Sequence, residues 1–169
     1  RDGKAFYRNR FVQTDGFVAE NAAGGPLWPG LAEPLSLAKV DHGWGARTLL
    51  KDASSTDVVV HRGTALSSFY QCGDLYRVDP LTAERLGKEA WNGGFPFDWG
   101  VSAHPKVDER TDELLFFNYS KSAPYMHYGV VDKNNDLVHW IDVPLPGPRL
   151  PHDMAFTESF AILNDCPLF

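Results

Sequence analysis

Glycine and proline interrupt this chain so often that long helices have little room: fifteen glycines and twelve prolines are spread over 169 residues. Inside a helix each one loosens the backbone or removes a hydrogen bond. Few windows keep apolar residues three to four apart for three turns. Between the breaks lie short runs rich in β-branched and aromatic side chains, at residues 5–12, 56–60, 64–70, 76–78, 114–119, 126–132, 137–143, 154–157 and 160–163. These runs predict strands. Turn chemistry at Asp79-Pro80-Leu81-Thr82, Asp108-Glu109-Arg110-Thr111-Asp112 and Lys133-Asn134-Asn135-Asp136 predicts hairpins between them. Short strands alternating regularly with turns predict an all-β sandwich, barrel or propeller. Residues 21–34 are loop-like, and residues 35–50 suit a short helix or a glycine-broken excursion.

With 43% hydrophobic and 22% charged residues, the chain has the balance of one globular domain spanning 1–169. A net charge of -6, with no Lys/Arg cluster to reverse it locally, argues against nucleic acid as a partner. No apolar run approaches the roughly 20 residues that cross a bilayer, and the first residues carry no secretory pattern. Cys72 and Cys166 are too few for a disulfide framework and wrongly arranged for a zinc ribbon, which makes a reducing cytoplasm the default compartment. The chain starts without Met in an already patterned stretch and stops in an apolar run, so it reads as a fragment of a longer protein.

Six histidines are available, and a lone histidine in a strand protein is more often solvated or a satisfied core residue than a ligand. His104 and His152 differ in context: His104 precedes Pro105 just ahead of a predicted hairpin, and His152 follows Pro151 just ahead of an apolar strand. A flanking proline fixes local φ and presents the imidazole from a stiff strand end, although prolines that merely end strands would look the same. His127 alternates with apolar neighbours and suits a structural role. His42, His61 and His139 read as surface or turn positions. Phe95, Phe97 and Trp99 suit either an apolar tunnel or core packing. Asp153 reads as a turn cap, because strand alternation turns it away from His152. Cys72 and Cys166 read as small buried hydrophobes.

The phrases AHPKVD, ELLFFNYS, YGVVDKNND and PHDMAFTES, in this order and at these intervals, resemble the carotenoid cleavage oxygenase family, including its stilbene-cleaving branch. Upstream, DGKAFYRNRFVQT and GDLYRVDPLTAE extend the resemblance over nearly the whole chain. It implies part of a seven-bladed β-propeller whose axis holds Fe(II) on four histidines. His104 and His152 fall on the first two ligand positions, and the remainder of the same polypeptide supplies the others. The implied reaction is dioxygen-dependent cleavage of a carbon–carbon double bond in an apolar conjugated alkene, an apocarotenoid or stilbene, giving two carbonyl products. An isomerase on the same metal centre and a propeller that only binds a ligand are the alternatives. Where the family commonly has Glu-x-Gly supporting a ligand imidazole, this chain has Gln71-Cys72-Gly73, which keeps hydrogen bonding without the charge. No lysine lies near Gln71 to hold a phenol, which weighs against a phenolic stilbene. The resemblance leaves membrane contact open. An incomplete propeller exposes strand edges, so the isolated chain is expected to be poorly soluble or to fold only with its missing part.

Overall fold

The computed structural model describes residues 3–30, 32–41, 43 and 50–167; the reading of His42 lies outside them. Three antiparallel sheets follow one another along the chain. The first runs β1 (Asp57–His61), β2 (Thr64–Ser68), β3 (Tyr76–Val78), β4 (Arg85–Lys88), each strand beside its predecessor. The second repeats the pattern with β5 (Lys106–Asp108), β6 (Glu113–Tyr119), β7 (Tyr125–Val131) and β8 (Leu137–Pro144). A third begins with β9 (Met154–Phe156) paired to β10 (Ala161–Leu163). β1 lies against β5, and β5 against β9, so the first strands of successive sheets are neighbours. Consecutive meanders that bring their first strands together are blades of a β-propeller.

Strand alternation builds the layers between blades. On β6, Leu114 and Phe116 join Leu66, Leu75, Trp91, Phe95, Val101 and Val131 in one core, while Phe117 turns to a second core with Met126 and Met154. Trp91 anchors the first core, its ring centre 4.9 Å from that of Phe95 and 4.7 Å from that of Phe116. Gly129 pairs with Phe116 across the β6–β7 ladder, and a Cβ there would strike the Phe116 ring. The second core carries β6 and β7 onto Met154 of β9 and so joins the second blade to the third.

The predicted strand at residues 5–12 does not form. Among the described residues no sheet edge pairs with it, and Phe6, Tyr7 and Phe11 are 81%, 87% and 82% exposed. A helix that periodicity does not reveal follows it: α1 (Asp15–Ala23) buries only Gly16 and has no apolar stripe. Its signals are its caps. Thr14 Oγ1 accepts from the Phe17 amide at 3.0 Å, and Gly24 closes the helix in the left-handed conformation at φ 71°. Leu35–Leu37 forms one 3-10 turn. No helix among the described residues is long and apolar enough to cross a membrane.

Candidate metal centre

His104 and His152 occupy equivalent places in successive blades: each stands two residues before the first strand, β5 opening at Lys106 and β9 at Met154. Both flanking prolines, Pro105 and Pro151, are buried. The contact between β5 and β9 brings the two rings together, with centres 5.1 Å apart and planes at 43°. An imidazole bound through one nitrogen at about 2.1 Å has its centre about 3.3 Å from the ion. Two rings at adjacent coordination positions are then about 4.6–5.3 Å apart, and the observed separation lies in that range. His104 has φ 59°, a left-handed conformation uncommon for a side-chain-bearing residue and a source of local strain of order 1 kcal/mol. Among the described residues no cluster of three or more His, Cys, Asp or Glu side chains is arranged around one ion.

Different partners hold the two rings. Asp57 Oδ2 lies 3.0 Å from His104 Nδ1; a carboxylate only accepts, so Nδ1 donates, and in the neutral ring the lone pair is then on Nε2. His152 instead stacks against Tyr70, ring centres 6.0 Å apart at 27°. Gln71 reaches this pair through that ring, its Nε2 donating to the Tyr70 hydroxyl at 2.8 Å. Lys106 on β5 and Asp153 beside β9 form an ion pair of 2.7 Å that ties the two blades next to the histidines. Burial works against the Asp153 charge, but the Lys106 ammonium and the Met154 amide hold its carboxyl below the ordinary value. Beneath the Gln71 turn, Asp52 is fully buried and accepts from the Ser54 and Asp74 amides at 2.8 Å each. Burial pushes its carboxyl up to about 7. The Asp52 side chain fills the space beside Gly73, where a Cβ would collide with it, and this fixes the turn that carries Gln71 and Cys72.

The other histidines are engaged elsewhere. His127 is buried, donates from Nδ1 to the Asn118 amide oxygen at 2.9 Å, and lies between Trp99 and Trp140 at ring distances of 4.4 Å and 4.6 Å. Burial lowers its pKa, and the role is structural. His61, read as a surface or turn position, ends β1 at the Arg62-Gly63 turn but is buried, and its Nε2 donates to the Asp112 carbonyl at 3.0 Å and ties β1 to the β5–β6 turn. His139 is exposed on β8, as expected. Phe95 is part of the core beneath Trp91, Phe97 is exposed beside it, and Trp99 packs on His127. Cys72 is buried, its sulfur accepting from the Tyr119 amide at 3.3 Å. Cys166, expected to be buried, is exposed in the coil after β10. Asp57 was not anticipated from the sequence. Its signal is an acid at the head of Val58-Val59-Val60, where strand propensity disfavours one.

The consecutive antiparallel meanders define the class of fold as a β-propeller, and comparison with known proteins gives the family. The family model described as retinal pigment epithelial membrane protein matches residues 1–169, and the chain belongs to this carotenoid oxygenase family. It is 27% identical to carotenoid 9,10(9',10')-cleavage dioxygenase 1 of Pisum sativum over 100% of the chain and 33% of that protein. It is 29% identical to isoeugenol monooxygenase of Pseudomonas nitroreducens over 98% of the chain and 34% of that protein. The crystal structure of Pseudomonas brassicacearum lignostilbene dioxygenase superposes with a TM-score of 0.73 at 26% identity, covering 91% of this chain and 31% of that one. The chain thus spans about a third of the length of the curated relatives it matches.

Proposed function

We propose that the full-length protein is a non-haem Fe(II) dioxygenase that splits a carbon–carbon double bond of an apocarotenoid or stilbene-like substrate into two carbonyl products. The observation that carries this reading is the convergence of His104 and His152, from equivalent places in two blades, to a ring separation of 5.1 Å. Two neutral imidazoles are suitable donors for divalent iron, and the rest of the polypeptide would supply the remaining donors. Bound iron would supply the activation of dioxygen beside an apolar alkene. The residues of this chain have the narrower task of holding two nitrogens in place. His104 does so through Asp57, and His152 through the Tyr70 ring that Gln71 anchors. Trp99 and Phe97, half-buried and exposed beside the second blade, are candidates for an apolar substrate wall, whereas Phe95 serves the core.

Iron analysis of the full-length protein after anaerobic Fe(II) loading tests this, alongside His104→Ala and His152→Ala. About one iron per chain, lost in both variants, is expected. A wild type that takes up no iron overturns the reading. Labelled dioxygen then assigns the chemistry: label in both carbonyl products supports a dioxygenase, label in one a monooxygenase, and label in neither the isomerase of the same family.

A further inference from the structure

We propose that Asp57 is a positioning residue that selects Nε2 of His104 as the metal-binding nitrogen and supplies negative charge to that ligand alone; the inference rests on the iron reading above. The carboxylate is held before it meets the ring. Oδ1 accepts from the Val58 amide at 2.8 Å and Oδ2 faces His104 at 3.0 Å, so both oxygens have fixed partners. Asp57 opens β1 in the first sheet while His104 precedes β5 in the second, so the bond spans two blades. His104 itself belongs to no strand, and its left-handed backbone leaves the ring orientation to its side-chain contacts.

Among the described residues His104 is the one charge-capable partner that Asp57 has. A neutral amide at position 57 could cap Val58 equally well, so the acid is explained by the imidazole. Donation from Nδ1 fixes the tautomer, and an anionic partner makes the ring a stronger electron donor to whatever Nε2 binds. His152, stacked on an uncharged ring, receives no such help from Tyr70. Among the described residues the two imidazoles are therefore electronically unequal. The carboxylate favours the more highly charged metal and so lowers the Fe(III)/Fe(II) midpoint potential.

The experiment uses full-length wild type, Asp57→Asn and Asp57→Ala. It measures Fe(II) dissociation constants, midpoint potentials and, in the metal-free proteins, the nitrogen shifts of His104 that report which ring nitrogen carries the proton. Asp57→Ala is expected to weaken Fe(II) binding by about 10–100-fold and to release the Nδ1–H tautomer, with Asp57→Asn between it and wild type and a raised potential in both. Thermal unfolding of the metal-free forms separates these effects from misfolding, and Asp57→Asn, which can keep a hydrogen bond, serves where the alanine variant does not fold. Variants that bind iron with the wild-type constant, potential and tautomer overturn the role of Asp57 and leave the oxygenase reading standing. A wild type without iron overturns the oxygenase reading and the electronic claim with it, while the tautomer still decides whether Asp57 holds the ring.

Discussion

His104 and His127 belong to the same blade and both have Nδ1 committed to an oxygen, yet they do opposite things. Around His127 every side is closed: Trp99 meets it edge-on, Trp140 covers a face, Asn118 takes Nδ1, and Asp142 stands 3.5 Å from Nε2. His104 is half-buried, makes one side-chain hydrogen bond and faces His152. Burial alone would have favoured His127 as the special residue. What sets His104 apart is the nitrogen left without a partner among the described residues and the second imidazole beside it. The same division runs through the whole chain. The layers between blades are packed apolar side chains in regular strands, whereas the inner margin carries left-handed residues at His104 and Cys72 and a buried carboxyl at Asp52. Left-handed side-chain-bearing residues also occur at Trp91 in the first core and at turns such as Arg62 and Asn135, so backbone conformation by itself does not mark the inner margin.

Exchanging the two histidines for alanine should separate these roles most sharply. His127→Ala is expected to lower unfolding free energy by about 3–5 kcal/mol, through lost contacts with two indoles and an unpaired Asn118 oxygen, while iron per chain stays at the wild-type level. His104→Ala should do the reverse, and iron analysis with denaturant unfolding on the same preparations checks both. If His127→Ala loses iron at unchanged stability, the comparison fails.

Asp52 offers a test of strain at the inner margin. Its folded-state pKa is raised from 3.8 to about 7, so its contribution to stability is fully present below pH 4 and is lost as the pH rises through about 7. Each pH step of one between the unfolded and folded values is worth about 1.4 kcal/mol, so wild type should lose roughly 4 kcal/mol from this group across that window. Asp52→Asn should flatten the profile. Urea midpoints of both proteins from pH 4.5 to 7.5 decide it, and parallel profiles would mean that the amides of Ser54 and Asp74 keep the carboxylate charged. The smallest effect belongs to His139→Ala, an exposed β8 position, expected to stay within about 0.5 kcal/mol of wild type with iron unchanged.

The strands of the two complete blades were legible wherever β-branched and aromatic residues cluster, as in residues 114–119 and 126–132. Periodicity could not show α1, which has no apolar face, or β5, which is three residues long. Nor could it find β4, an exposed stretch with a register shift opposite Arg77 and Val78. The run at residues 5–12 has the composition of a strand without a neighbour to pair with, and composition does not encode neighbours. Likewise the sequence singled out His104 and His152 one at a time, through their prolines and their resemblance to a family. Their proximity, and the reach of Asp57 across 47 positions to His104, are products of blade stacking that local pattern does not carry.

The Lys106–Asp153 pair acquires a further meaning from where it sits. With side chains 30% and 52% exposed it adds little to stability. Under the proposed iron reading, His104 and His152 would form a chelate whose bite is set by no covalent link shorter than the chain between two blades, so that bite is an interblade distance. The Lys106–Asp153 pair spans the same two blades beside these rings, together with the Phe117, Met126 and Met154 core, and dissolved salt weakens the ion pair but not the core. Under that reading, salt acts on the bite only through the part of the interblade contact that is charged, without touching a donor atom.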